Sequence, residues 1–455
     1  TTRDTSTTDT DTDTDTGSTN TDTGEPPDPY ADLTGAMRWV RTHPMMISGL
    51  VVQMSTPSSS EVSAYFNDFG ANTLQLWVTG LPQELADWQS NEADLEWISW
   101  IMDDGTSATS GTALGGMGSD PTGRIAYQVG DEPGSLEDLQ ELEAGIGVIR
   151  DHDPDALVIV NFGNPDEGSS REAIVSQFAS GMDGDIISYD QYSFQYTAYE
   201  SMEVYRQVAL EHGMPYWRYL NAFAYTGNPD DWPEESDMRW DAFKGLVYGF
   251  TGHTWFLYQV DPAHGLETSL FDETGSWGSG TAEGFAIAAT INQEMANLGR
   301  AITQLTSVDV RYIPSVSWYA PDGTTDWSPG AGDDPYLTSI EAIDLEWDEM
   351  QDISVGFFVD DQGEAYVMVQ NPTHAHSSWP IMVEEQADFR LEFDFSDAPS
   401  SLDPTLVQVL DKDSGDVESL TLQTLGGGKA ALEFSLSAGD PLLFKYATGT
   451  DFALQ

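Results

Sequence analysis

Eight short apolar segments alternate with stretches of helical periodicity between residues 45 and 304 of this 455-residue chain. The apolar segments cover residues 45–54, 73–78, 96–102, 125–132, 156–162, 185–192, 216–223 and 253–260. Helices are expected from residue 58, near 82–91, after 135, near 170–180, at 197–212 and 235–249, and at 281–304. Strands that alternate with helices predict parallel βαβ units. Eight such units in about 260 residues match a (β/α)8 TIM barrel in count and size.

The sequence after residue 305 has a different pattern. Strand-like runs at 353–359, 365–370, 389–395 and 441–446 are joined by Asp-Gly and Asp-Pro turns, which predicts an antiparallel β-sandwich. The chain is therefore predicted to contain a linker at 1–29, a barrel at 30–305 and a sandwich at 306–455. No row of exposed aromatic residues is evident in the sandwich, so packing against the barrel is its favoured role and carbohydrate binding the alternative.

Residues 1–29 combine a Thr/Asp repeat with a Pro-rich end and have nothing to bury, so they are expected to form a disordered tether. The segment resembles the region after the anchor cysteine in haloarchaeal lipoproteins, although this chain begins at Thr1. The resemblance implies an extracellular or cell-surface protein with a lipid anchor through a removed N-terminal residue. No apolar run is long enough for a transmembrane segment.

The chain carries 77 acidic and 16 basic residues, a formal net charge of −61. Charge repulsion of this size destabilises a compact protein at low salt, whereas about 1 M salt shortens the Debye length to about 3 Å. The composition therefore indicates a hypersaline medium, as for halophilic archaea. Nucleic acid is excluded as a partner for so acidic a surface. The absence of cysteine excludes disulfides and thiolate chemistry.

The fourth apolar segment ends in two adjacent acids, Asp131 and Glu132, and Pro133 and Gly134 then stop the strand. Ser135 already supplies a cap for the next helix, so neither acid is needed as one. Because barrel enzymes carry their active sites at the carboxyl ends of the strands, both acids are candidate catalytic groups.

The other strand ends supply further candidates. Acids, amides and aromatic rings stand at Trp77, Trp100, Asn161, Asp190, Tyr192, Asn221, Tyr258, Gln259 and Asp261. Aromatic rings stack on sugar faces, amides and acids bind hydroxyl groups, and paired carboxyl groups with one raised pKa cleave glycosidic bonds. No phosphate-binding loop, His/Cys cluster or Ser-His pairing accompanies them, so neither a cofactor nor a metal is expected.

Four motifs, in order, are similar to barrel glycoside hydrolases of the β-galactosidase-like retaining clan. They are Gly-Asp-Glu-Pro at 130–133, Ser-Tyr-Asp-Gln-Tyr at 188–192, Asn-Ala-Phe at 221–223 and the run 240–249. The sandwich run 355–371 also resembles the domain that follows the barrel in that group. The resemblance covers residues 40–450 and implies that Glu132 is the acid/base.

The clan's nucleophile, a glutamate at the end of the seventh strand, has no match here. Residues 216–225 contain no carboxylate, and Asn221 stands nearest that place. Asp190 is the first choice for the second carboxylate, with Asp131 and Asp261 behind it. The adjacent Asp131–Glu132 pair also resembles hexosaminidases, in which the aspartate steadies an acetamido group that acts as nucleophile.

The predicted function is that of a secreted or surface-tethered glycoside hydrolase that acts on a plant, algal or microbial poly- or oligosaccharide. Tyr192 and Asn161 would orient sugar hydroxyls, and Trp77, Trp100 and Tyr258 would form the sugar platform. A separation of about 5–5.5 Å between the two catalytic carboxyl groups would imply retention of configuration, and about 6.5–9.5 Å inversion. The alternative is a non-catalytic carbohydrate-binding surface protein on a degenerate barrel. A purely structural surface protein would have no acid-lined pocket.

Overall fold

The computed structural model describes residues 29–52, 56–77, 81–92, 94–101, 122–192, 194, 197–223, 232–260, 270–272, 282–314, 320–343, 351–376 and 386–455. Residues 33–455 form one compact unit. Residues 1–28 of the predicted linker and the predicted site residue Asp261 lie outside the described residues.

Eight parallel strands form a closed barrel, which confirms the predicted fold class. The strands are β1 (Met46–Val51), β2 (Leu74–Trp77), β3 (Trp97–Ile101), β4 (Arg124–Asp131), β5 (Leu157–Phe162), β6 (Ile186–Tyr189), β7 (Tyr216–Asn221) and β8 (Gly252–Val260). They are neighbours in chain order, and pairing of β8 with β1 closes the ring. A short strand, β9 (Phe271–Asp272), pairs with β8.

Helices flank the barrel, and all of them except α1 lie at predicted places. They are α1 (Gly35–Thr42), α2 (Ser59–Ser63), α3 (Leu81–Gln89), α4 (Leu136–His152), α5 (Arg171–Gly181), α6 (Thr197–His212), α7 (Glu235–Tyr248) and α8 (Ala282–Ile302). A capping box formed by Ser58 and Glu61 opens α2, and a π-helical turn (Ala64–Asp68) extends it. Along the residues that the structure describes, no helix combines the length and apolar character that a membrane span requires.

The barrel interior is filled in layers. The lowest layer is apolar and contains Met46, Ile98, Ala126, Ile159, Ile186 and Trp217. Above it, Thr254 Oγ1 donates to Gln75 Oε1 (2.7 Å), and Gln75 Nε2 donates to Gln128 Oε1 (3.0 Å). The upper layer consists of Leu50, Val52, Trp100, Tyr219 and Leu257. Because side chains fill the interior, a ligand can reach only the carboxyl ends of the strands.

Two antiparallel sheets follow the barrel, consistent with the predicted sandwich. The first has the order β10 (Leu305–Ile313), β12 (Ile353–Asp360), β13 (Ala365–Gln370), β19 (Pro441–Tyr446), β15 (Leu406–Leu410) and β16 (Val417–Thr421). The second has the order β11 (Leu337–Ile343), β14 (Ala387–Asp394), β18 (Lys429–Leu436) and β17 (Gln423–Gly426). Their shared apolar core includes Val355, Phe357, Phe389, Leu391, Phe393 and Phe444.

Polar contacts join α7 of the barrel to the sandwich. Arg239 forms an ion pair with Asp440 (2.5 Å). The fully buried Asp237 carboxylate meets His374 Nδ1 at 2.8 Å and His376 Nδ1 at 2.5 Å. Burying a carboxylate is tolerated only when hydrogen bonds compensate it, so these contacts fix one orientation of the sandwich on α7.

Candidate active site

A bulge in β4 determines which of its residues face the mouth of the barrel. Gln128 pairs with Ile159, but Asp131 pairs with Asn161, so β4 has one residue more than β5 over this interval. Gly130 absorbs the bulge with φ +68°, and a Cβ there would lie 2.5 Å from Leu142 of α4. Side chains of a regular strand alternate between faces, so the extra residue is what turns Asp131 inward.

Glu132 follows in a strained backbone conformation with φ +44°. Its N–H donates to the carbonyl of Asn161 (2.8 Å), which ties this turn to the end of β5. Its carboxyl group lies against Gly163, where an added Cβ would stand 2.3 Å from Oε1. Glu132 is exposed at the mouth and does not point into packed core.

Asp190 follows β6 and meets the acids of β4. Burial raises the pKa of Asp190 well above its usual value, and the charges of Glu132 and Asp131 raise it further. The Glu132 carboxyl group and the Tyr192 hydroxyl both lie beside Asp190, and Tyr192 lowers the pKa of Asp190 against the larger effects of burial and of the two acids on β4. The carboxyl groups of Glu132 and Asp190 are therefore neighbours at the mouth of the barrel.

Asn161 lies between the two acidic strand ends. Its Nδ2 donates to Asp131 Oδ1 (2.9 Å), and its Oδ1 accepts from the Ser188 hydroxyl (3.1 Å). Asn161 is 1% exposed. Both polar ends of its amide are thus engaged by the protein, and its role in this structure is to orient Asp131.

Aromatic rings line two parts of the mouth. Trp77 and Trp100 are direct neighbours on β2 and β3, with ring centroids 4.4 Å apart and 31° between their planes. Trp77 is partly exposed, while Trp100 is 7% exposed. On the opposite side, Tyr192 stacks on Phe256 (5.1 Å) and meets the edge of Phe223 (5.1 Å). Such surfaces bind the apolar faces of sugar rings.

Tyr219, which sequence reasoning missed, forms the floor below the acids. Its hydroxyl donates to Gln128 Oε1 (2.6 Å). Burial raises the pKa of Tyr219 well above its usual value, and the charges of Asp131 and Asp190 add to the shift. Tyr219 stands two residues before Asn221 on the same strand. The period of two along β7 was therefore a signal from which Tyr219 could have been found.

Tyr258, Gln259 and Asn221 were expected to bind substrate, but all three are buried. Tyr258 is buried between β8 and the π-helical turn, with its ring 4.7 Å from Tyr65 and 4.9 Å from Phe69. It therefore lies outside the barrel ring and cannot form a sugar platform. Gln259 is 5% exposed, and its carbonyl accepts from Val52 N–H (2.9 Å).

Asn221 is at the end of β7 and 6% exposed. Its side-chain amide bonds the main chain at both ends, as described below. Among the described residues, no group of three or more His, Asp or Glu side chains is arranged to hold a metal ion.

No protein family model and no curated protein matches the chain. Solved structures with this architecture do match. A family 5 glycoside hydrolase from Bacteroides vulgatus aligns over 90% of this chain and 90% of its own, with 13% identity and a TM-score of 0.55. Another glycoside hydrolase aligns over 90% of this chain and 94% of its own, with 12% identity and a TM-score of 0.53. The protein therefore shares the fold of these two glycoside hydrolases.

Proposed function

We propose that the protein is a glycoside hydrolase that cleaves O-glycosidic bonds with Glu132 and Asp190. The observation that carries this proposal is that Asp131, Glu132 and Asp190 meet at the barrel mouth, where burial and the charges of the other two acids raise the pKa of Asp190. Two neighbouring carboxyl groups, one of them with a raised pKa, are the groups that glycosidic cleavage needs. The tryptophan pair of β2 and β3 gives a sugar ring a surface to stack on.

We assign the proton donor to Glu132 because its carboxyl group is exposed at the mouth, where a leaving oxygen has access. Asp190 lies deeper and acts as base or nucleophile. The neighbouring Tyr192 lowers the pKa of Asp190 and so favours the carboxylate form that this role requires, while burial and the two acids on β4 act in the opposite direction.

The charge of the chain and its Thr/Asp-rich start support an extracellular or surface-attached enzyme of a halophilic archaeon. Glycans should therefore be screened for cleavage in about 1–3 M salt, where repulsion between the acids is screened.

Variants with Glu132→Gln and Asp190→Asn test the two roles. Loss of a general acid slows the reaction about 10²–10⁴-fold. The Glu132→Gln variant should lose this factor on a natural glycan but retain activity on a dinitrophenyl glycoside, whose leaving group needs no proton. The Asp190→Asn variant should fail on both substrates. Unchanged glycan cleavage by Glu132→Gln would refute the assignment, and the reverse pattern would exchange the two roles.

A carbohydrate-binding protein without activity is the second candidate. Its support is the end of β7, where residues 216–223 contain no carboxylate and the Asn221 amide is engaged by the main chain. This candidate predicts that wild type and Glu132→Gln bind the same glycan in molar salt and that neither releases product. Measured turnover that depends on Glu132 would exclude it.

A further inference from the structure

Asn221 occupies the end of β7 and connects two turns of the mouth. Its Nδ2 donates to the carbonyl of Tyr192 (3.0 Å), and its Oδ1 accepts from the N–H of Phe223 (3.1 Å). Tyr192 and Phe223 also contact each other through their rings at 5.1 Å. The amide therefore fixes the main chain on both sides of one aromatic contact.

A buried charge cluster behind β7 holds Asn221 in turn. Asp241 of α7 accepts from the N–H of Asn221 through Oδ2 (3.2 Å) and pairs with Arg218 through Oδ1 (2.5 Å). Lys244 Nζ lies 3.3 Å from the same Oδ1. Burial opposes ionisation of Asp241, but Arg218 and Lys244 outweigh it and lower the pKa of Asp241. The acceptor for Asn221 is therefore a permanent carboxylate.

Tyr192 connects Asn221 to the candidate catalytic acids Glu132 and Asp190. Its hydroxyl lies beside Asp190 and lowers the pKa of Asp190 against the larger effects of burial and of the two acids on β4. The ionisable groups that interact with Asp190 come from β4, β6, β7, the turns after β4 and β6, and helix α6: Asp131, Glu132, Tyr189, Tyr192, Tyr205 and Tyr219. Of these residues, Tyr192 accepts a hydrogen bond at its main-chain carbonyl from the Asn221 side chain.

We propose that Asn221 is a positioning residue that holds Tyr192 beside Asp190 through the main chain. The role in catalysis rests on the proposed function, but the placement of Tyr192 by Asn221 does not. The end of β7, where the resembled clan has its nucleophile, thus holds a residue that positions Tyr192. The second carboxylate of the proposed site, Asp190, follows β6.

The test compares Tyr192→Phe, Asn221→Ala and the double variant by the pH dependence of kcat/KM. Tyr192→Phe removes the hydroxyl beside Asp190. The limb of the kcat/KM profile that Asp190 controls should then move upward by about one pH unit, the order expected for one polar contact. Asn221→Ala should move the same limb in the same direction, and in the Tyr192→Phe background it should add no further shift. Asn371→Ala removes a buried amide of the sandwich and should leave the limb in place.

An Asn221→Ala variant that folds but leaves the pH limb unmoved would overturn the proposal, as would additive shifts. If alanine impairs folding, Asn221→Leu fills a similar volume and removes the same hydrogen bonds. Carboxyl-carbon NMR titration, with the Asp190 signal assigned by Asp190→Asn, measures the same shift without turnover. Absence of turnover on any glycan would therefore count against the proposed function, whereas an unmoved Asp190 titration in Asn221→Ala would count against this inference.

Discussion

Gly163 is the residue on which the placement of Glu132 depends. It follows β5 on the side that faces the mouth, and the Glu132 side chain occupies the space that a Cβ at residue 163 would need. The nearest approach to Oε1 would be 2.3 Å, far inside van der Waals contact. The Glu132 backbone is also held at φ +44° by its hydrogen bond to Asn161, so the side chain has little freedom to move aside.

A Gly163→Ala variant should therefore lose most of its glycan-cleaving activity while it remains folded. A displacement of about 1 Å of a catalytic group costs on the order of 10²-fold in rate, and that loss is expected in kcat/KM. Glycan affinity should change little, because the tryptophan pair lies on β2 and β3. Gly147→Ala is the matched control, since a Cβ in the middle of α4 meets nothing within 4 Å. Full activity in Gly163→Ala would show that Glu132 does not act from this position.

At the scale of elements, the contact between α7 and β7 contains an unusual buried amine. Lys244 is fully buried, with Nζ 3.3 Å from the centroid of the Trp240 ring. Burial lowers the pKa of Lys244 to about 7 even though Asp241 opposes the shift. Between this pH and the ordinary lysine value of 10.5, the unfolded chain binds a proton that the folded chain does not. The contribution of Lys244 to stability consequently rises with pH in that interval.

Lys244→Met should remove this dependence. The variant should gain in free energy of unfolding relative to wild type most strongly at pH 6, where the buried amine is charged, and the gain should shrink towards pH 9. Urea unfolding of both proteins in 2 M salt at pH 6, 7.5 and 9 measures the difference. Lys429→Met, at an exposed position, should show a difference that does not vary with pH. An equally constant difference for Lys244→Met would contradict the assigned titration.

Sequence patterns located the barrel elements because each strand is an apolar run between polar helices. They failed where strands are irregular. In β8, Gly49 pairs with Trp255 but Val51 pairs with Gln259, so two extra residues interrupt the alternation. Phe256 and Leu257 both reach the interior cluster, and Tyr258 is turned outward. Strict alternation from the inward-facing Thr254 would have turned Tyr258 inward, and no local pattern announces the irregularity.

The sandwich shows the same limit. The four predicted strands coincide with β12, β13, β14 and β19, all of which bury apolar side chains. Sequence reasoning did not name β10, β11, β15, β16, β17 and β18. Among these, β16 and β17 are mostly exposed and therefore carry no apolar alternation. At the site, Glu132, Asp131 and Asp190 lie near one another, and their catalytic roles stay a prediction. Gly163 was missed because its role is to lack a side chain.

At the scale of the whole molecule, the 77 acidic residues far outnumber the 16 basic residues that could neutralise them. Several of the 16 basic residues serve in buried or half-buried ion pairs, such as Arg124 with Asp153 and Arg218 with Asp241. The net charge of −61 therefore belongs to acids that repel one another across the surface. Folding brings these charges closer together, so repulsion opposes the compact state when salt does not screen it.

The free energy of unfolding should accordingly rise with salt and approach a plateau near 1 M. The Debye length falls from about 10 Å at 0.1 M to about 3 Å at 1 M, after which little repulsion is left to remove. Unfolding must be induced with urea, because guanidinium chloride is itself a salt. Sucrose, which stabilises proteins by exclusion from their surface without screening charge, is the control and should not reproduce the steep rise below 1 M. A stability that is flat in NaCl, or that rises equally in sucrose, would show that repulsion among the acids does not limit this fold.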